Sequence, residues 1–146
     1  MMSARQEKRR TSVGVILGLA VFSLLFLLFF SGSTSPLVTY SLCEDSFFFQ
    51  TLGMAWAEGK IPFIHTFDHK GPLIFFIDML GYRITGNGNG ILLIQLPNLF
   101  FYFFLAWKML RELGFSEKRS LALFSAMVGF MALPFNEGNM TEEYSL

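Results

Sequence analysis

Apolar runs alternate with short polar breaks along this chain, and the lengths of the runs predict its elements. Val13 to Phe30 gives 18 residues without a charge, close to the ~20 that a helix needs to cross a bilayer. Residues 31–42 read as a Ser/Thr/Pro-containing loop. Asp45 to Glu58 predicts a helix lying in the membrane interface, with Phe47, Phe48, Phe49 and Trp56 beside the polar Ser46, Gln50 and Thr51. Gly59 ends it and Pro62 prevents its resumption, so Ile61 to Phe67 is expected as extended loop. Pro72 opens a second short helix running to Ile84. Its 13 residues and internal Asp78 suit an interfacial or re-entrant segment rather than a span. Thr85 to Gly90 is a turn. Gly90 to Trp107 is again 18 residues without charge. Its Gln95, Pro97 and Asn98 are expected to face neighbouring helices rather than lipid. Ser120 to Phe135 is a third, shorter candidate span, and 136–146 is a polar tail with three glutamates.

Charge orders these segments. Residues 1–12 carry Arg5, Lys8, Arg9 and Arg10 against Glu7, and 108–119 carry Lys108, Arg111, Lys118 and Arg119. Basic flanks stay in the cytoplasm, so both stretches are expected there. An even number of crossings must separate them. The 13–30 and 90–107 spans supply two, which leaves 72–84 not crossing. The loop 31–89 and the tail 136–146 then share the external side. A signal peptide has the same basic start but a core of only about 7–15 residues. Ser31-Gly32-Ser33 would permit cleavage. An uncleaved anchor is the expectation, since further apolar runs follow.

Composition agrees with an all-α integral membrane protein of about three transmembrane helices, multi-pass in the plasma membrane with a cytoplasmic N-terminus. Hydrophobic residues make up 53% of the 146 positions, 19 of them Phe. Only 15% are charged, against about 25% in soluble domains, and mean hydropathy is +0.49. Net charge is zero, so no global field points to nucleic acid. The single Cys43 allows neither an internal disulfide nor a thiolate metal cluster. Tyr144-Ser145-Leu146 follow directly on acids, which reads as a truncated second external loop; a small protein with a polar tail is the alternative.

The charged residues in the polar breaks are the candidate chemistry. Glu44 and Asp45 suit a general base at the membrane surface, since a carboxylate partly withdrawn from water gains proton affinity. They equally suit capping of the helix they begin. Lys70, after Asp68 and His69 and before Gly71-Pro72, is a positive charge fit for a phosphate. The helix start beside it also favours anions. A lysine meeting lipid headgroups is the plainer reading. His65, Asp68 and His69 make a divalent metal conceivable but not favoured, because two histidines four apart share a face only in a helix. No metal site and no cofactor is expected. Glu137, Glu142 and Glu143 could hold a metal, orient a donor sugar, or simply be solvated. Asn139-Met140-Thr141 matches the N-glycosylation pattern. The glycines at 86–90 lack the strand and the Lys-Ser/Thr pair of a phosphate loop.

Taken together, Glu44-Asp45-Ser46, Gly59-Lys60-Ile61-Pro62, Asp68-His69-Lys70-Gly71-Pro72-Leu73 and Gly138-Asn139-Met140-Thr141-Glu142-Glu143-Tyr144 resemble the N-terminal part of a GT-C-type membrane glycosyltransferase. The branch is the one similar to dolichyl-phosphate-mannose–protein mannosyltransferases and lipid A aminoarabinose transferases. The resemblance runs from about Val13 onward. Many relatives show Asp-Glu where this chain has Glu44-Asp45, and Lys-Pro-Pro where it has Lys70-Gly71-Pro72. Family members are several-fold longer, so the fragment alone is expected to be inactive. The resemblance implies a sugar carried on a polyprenyl phosphate and inverting transfer, on the external face, to a lipid, glycan or protein acceptor. It implies Asp45, or Glu44 beside it, as the base. Lys70 would meet the donor phosphate with Asp68 and His69 near it, and Glu142 or Glu143 would be the acid of the second external loop. A metal is not generally required in that branch. A non-enzymatic multi-span module, a transporter piece or structural subunit, is the rival reading. There Asp78, Arg83 and the loop acids would pair with partner helices or lie in the interface.

Overall fold

The computed structural model describes residues 13–38, 43–66, 68–132, 135 and 138–145. The basic stretch 1–12, the loop residues 39–42, Phe67 and Glu137 lie outside them. The described residues form five α-helices and no strand. These are α1 (Val13–Phe30), α2 (Glu44–Ala57), α3 (Pro72–Thr85), α4 (Asn89–Glu112) and α5 (Glu117–Ala132), with a single 3₁₀ turn at Glu143–Ser145. Two of them, α1 and α4, are long and apolar enough to cross a membrane.

Helix α1 has no charge, and its buried residues Leu19, Ser23, Phe26 and Leu27 form one stripe at helical spacing. Its other faces expose Leu17, Val21, Leu25 and Phe29. Helix α4 buries Ile91, Leu92, Gln95, Leu99, Phe103 and Trp107 on a similar stripe. The two stripes meet antiparallel. Thr34, just beyond the end of α1, reaches Gln95 near the start of α4. Phe22 and Phe26 lie 5.4 and 5.9 Å from Phe103 further along it. Helix α5 returns alongside. Phe124 packs on Phe103 and Trp107 at 5.4 and 6.1 Å, and Phe135 reaches back to Phe26 at 5.1 Å.

Helices α2 and α3 form a tight hairpin at the end of this bundle where α1 finishes and α4 begins. Glu44 and Asp45 occupy the first turn of α2, where their charge complements the helix dipole. Pro72 stands at the start of α3, where its missing N–H breaks no bond. Gly53 lets α2 approach until a Cβ there would overlap Asp78 of α3. At the other end of α3, Gly81 sits against the backbone of Ile91 in α4. The main packing partners of α3 are thus α2 and the first turns of α4.

Both short helices fall where the sequence places them, within a residue at each end. Three other boundaries move. Residues 61–66 are folded, not extended: the N–H of Phe63 donates to Thr66 O at 2.6 Å and that of His65 to Ile61 O at 3.0 Å. Helix α4 continues through the basic residues to Glu112, so its link to α5 shrinks to 113–116. The third apolar segment begins earlier than expected, at Glu117, and its helix runs to Ala132. Charged side chains are good helix formers, so the apolar edges underestimate helix length at that end.

Candidate functional site

The motif residues from three distant parts of the sequence gather at the hairpin end of the bundle. Cys43, Phe49, Leu52, Ile74, Phe75 and Met140 form one buried cluster, with Trp56 and Tyr144 against it. The Cys43 thiol lies 3.7 Å from the Met140 sulfur. That contact sets the start of α2, with Glu44 and Asp45, beside the 138–144 segment. Ile74 and Phe75, at the start of α3, pack in the same cluster as Met140, so the loop before α3 ends beside the same segment. Glu142 is exposed. Its carboxyl is held below the usual range first by a backbone N–H, then by the Thr141 hydroxyl, with a smaller part from Lys70.

Asp68 is turned inward. Its side chain is only 7% exposed, while His69 beside it is 83% exposed. The Asp68 Oδ1 accepts the backbone N–H groups of His69 and, at 3.3 Å, of Lys70. His69 Nδ1 lies 2.9 Å from the same oxygen. This local turn fixes the backbone that carries Lys70, so Asp68 shapes the loop. Glu44 and Asp45 are exposed on the first turn of α2. Among the described residues no group of three His, Cys, Asp or Glu side chains could hold a metal ion.

Glu143 parts from its neighbour Glu142. It is 4% exposed, and its Oε2 accepts the Gln95 amide at 2.9 Å and the Asn139 backbone N–H at 2.8 Å. Asn139 is fully buried; its side-chain amide donates to Asp78 Oδ2 at 3.2 Å and its carbonyl accepts the Tyr144 hydroxyl at 3.0 Å. The glycosylation-pattern asparagine is therefore an internal strut. Gln95 extends the network to Thr34 and Ser31 beyond α1. Asn98 donates to Glu143 O at 3.1 Å, and Gln50 donates to Ser33 O at 2.9 Å. Gln95 and Asn98 thus face neighbouring segments, as their polarity in an apolar helix predicts.

Asp78, Gln50, Gln95, Asn98, Thr34 and Ser31 are among the members that sequence reasoning did not assign to the site. Asp78 carried one signal, a carboxyl inside an otherwise apolar helix. Asn139 stood within the 138–144 motif, with a glycosylation pattern that does not describe its buried place. Burial raises the Asp78 carboxyl to about 8 despite its bond to Asn139, with Glu143 adding to the rise. Burial likewise raises Glu143 to about 7 against its bonds to Gln95 and Asn139. Comparison of the chain with known protein families, with curated proteins and with solved structures finds no match.

Proposed function

We propose that the chain forms part of an integral membrane glycosyltransferase of GT-C type. It transfers a sugar from a polyprenyl-phosphate donor to an acceptor hydroxyl on the external face. One observation carries this reading. The first turn of α2, the Asp68–Pro72 loop and the 138–144 segment converge at one end of an apolar helical bundle, where a lipid-linked donor would present its headgroup. Asp45, with Glu44 beside it, takes the acceptor's hydroxyl proton. The freed oxygen pair attacks the anomeric carbon from the face opposite the phosphate. The bond to the phosphate oxygen breaks, that oxygen keeps the electron pair, and Lys70 meets its charge. A single displacement of this kind inverts the anomeric centre.

The exposed apolar faces of α1, α4 and α5 also fit a non-enzymatic membrane module. The two readings separate in the product of the complete reading frame. In the enzyme, Asp45→Asn or Glu44→Gln lowers transfer at least about a hundredfold, the share usual for a general base. Lys70→Ala weakens use of the donor, and expression and helicity are unchanged. Full transfer in both acid variants overturns the assignment. A complete product with no transferase activity and no phenotype from Lys70→Ala favours the module.

A further inference from the structure

Two carboxyl groups at the centre of the hairpin end have no role in the transfer chemistry above. Asp78 is 0% and Glu143 4% exposed. Among the described residues neither is paired with a lysine, arginine or histidine. Each has one oxygen bonded and one, Asp78 Oδ1 and Glu143 Oε1, buried without a hydrogen-bond partner. An ionised carboxylate left this way is strongly disfavoured, whereas a neutral carboxyl tolerates it. Asn139 joins the two, through its side chain to Asp78 and its backbone N–H to Glu143.

We propose that Asp78 and Glu143 are positioning residues forming a proton-dependent latch: while they hold protons, they dock the 138–144 segment on α3 and α4 and so keep Glu142 near the loop that carries Lys70. Every element around Asp78 bears on this. Helix α2 presents the backbone of Gly53. Helix α3 itself carries Tyr82, and the docked segment brings Asn139, Glu143 and Tyr144. The tyrosines are pushed further up, Tyr82 and Tyr144 alike chiefly by burial, so they stay neutral throughout. Around Glu143, helix α4 contributes the uncharged Gln95, whose amide donates to it. Of the groups that face them, only these two carboxyls are raised into the neutral range, and their ionisation undocks the segment. The alignment of Glu142 with Lys70 rests on the donor-phosphate reading; the latch does not.

The native Cys43 reports docking without any substitution, because Met140 of the latched segment covers it. In membranes holding the product of the complete reading frame, N-ethylmaleimide modification of Cys43 is timed by peptide mass spectrometry. Each rate is divided into that of the same site in SDS at the same pH, which removes the thiol's own ionisation. Protection is expected to fall at least about tenfold from about pH 5.5 to about pH 8 and then level off. Asp78→Asn, which keeps the neutral shape, is expected to stay protected with a flatter profile. Constant protection in the wild type overturns the latch, as does an unchanged decline in Asp78→Asn. Should Asp78→Asn be unprotected at every pH, Glu143→Gln takes its place in the same comparison and an unchanged decline there overturns the proposal. The readout needs no transfer, so loss of the enzyme reading and loss of the latch are seen separately.

Discussion

Asp78 shows how one residue can set the pH response of a whole chain. Its carboxyl sits where the folded state holds a proton that the unfolded chain releases near its ordinary value of 3.8, and folding raises that value to about 8. Glu143 behaves alike, rising from 4.5 to about 7. For an acid raised on folding, stability is greatest below the unfolded value and declines as pH climbs towards the folded one, then changes no further. Thermal unfolding in detergent is therefore expected to shift downward from about pH 5 to about pH 8, by an amount on the order of a few kcal/mol. Asp78→Asn removes about half of that slope below about pH 7, leaving Glu143's share, and nearly all of it above. A wild-type profile that rises with pH across this range contradicts the buried placement of both groups. Asp68 differs in its partners: its Oδ1 accepts the backbone N–H groups of its own loop. Sequence alone could not separate these acids, because the difference lies in what surrounds them.

The elements were the most legible level of the chain. Hydrophobic run length and the breakers Gly59, Pro62, Pro72 and Gly86 place α2 and α3 within a residue of where they are found. What the pattern could not reveal is how closely the two helices approach, since that depends on a single missing side chain. A Cβ at Gly53 would meet the backbone of Asp78 and Met79 at 2.9 Å, besides the Asp78 Cβ. Backbone does not yield as a side-chain tip does. Gly53→Ala is expected to destabilise by about 1–3 kcal/mol, the usual range for overpacking, read as a lower unfolding midpoint with earlier exposure of Cys43. Gly18→Ala in α1 is the control, because nothing lies within 4 Å of a Cβ there. An equal effect at both positions would mean that the α2–α3 contact is not what fixes the hairpin. The 61–66 turn was missed for a related reason. It is held by backbone bonds to Ile61 and Thr66, and no residue pattern announces them.

At the scale of the molecule, the order of the helices bears on how the chain would lie across a bilayer. Basic flanks at 1–12 and 108–119 call for an even number of crossings between them, which 13–30 and 90–107 would supply with 72–84 not crossing. The packing sets α1 antiparallel to α4 and joins α3 to α2 and the start of α4. Of the described residues, 31–38, 43–66, 68–88 and 138–144 are thereby gathered at one end, with the 113–116 link at the other. If α1, α4 and α5 cross a bilayer, that division becomes a division between its two faces. Single cysteines in a Cys43→Ser background test it on intact cells with a membrane-impermeant maleimide. Ile64 and Ser116 are exposed and Thr141 half-exposed, so they make better probes than the buried Cys43 itself. Labelling at 64 and 141 but not at 116 is expected. It would put Lys70 and Glu142 on the external side together, as a single transfer site requires. Labelling at 64 and 116 without 141 would mean that α3 crosses. Lys70 and Glu142 would then face opposite compartments, and both the shared donor site and its alignment by the latch would fail, whatever the chemistry of the individual acids.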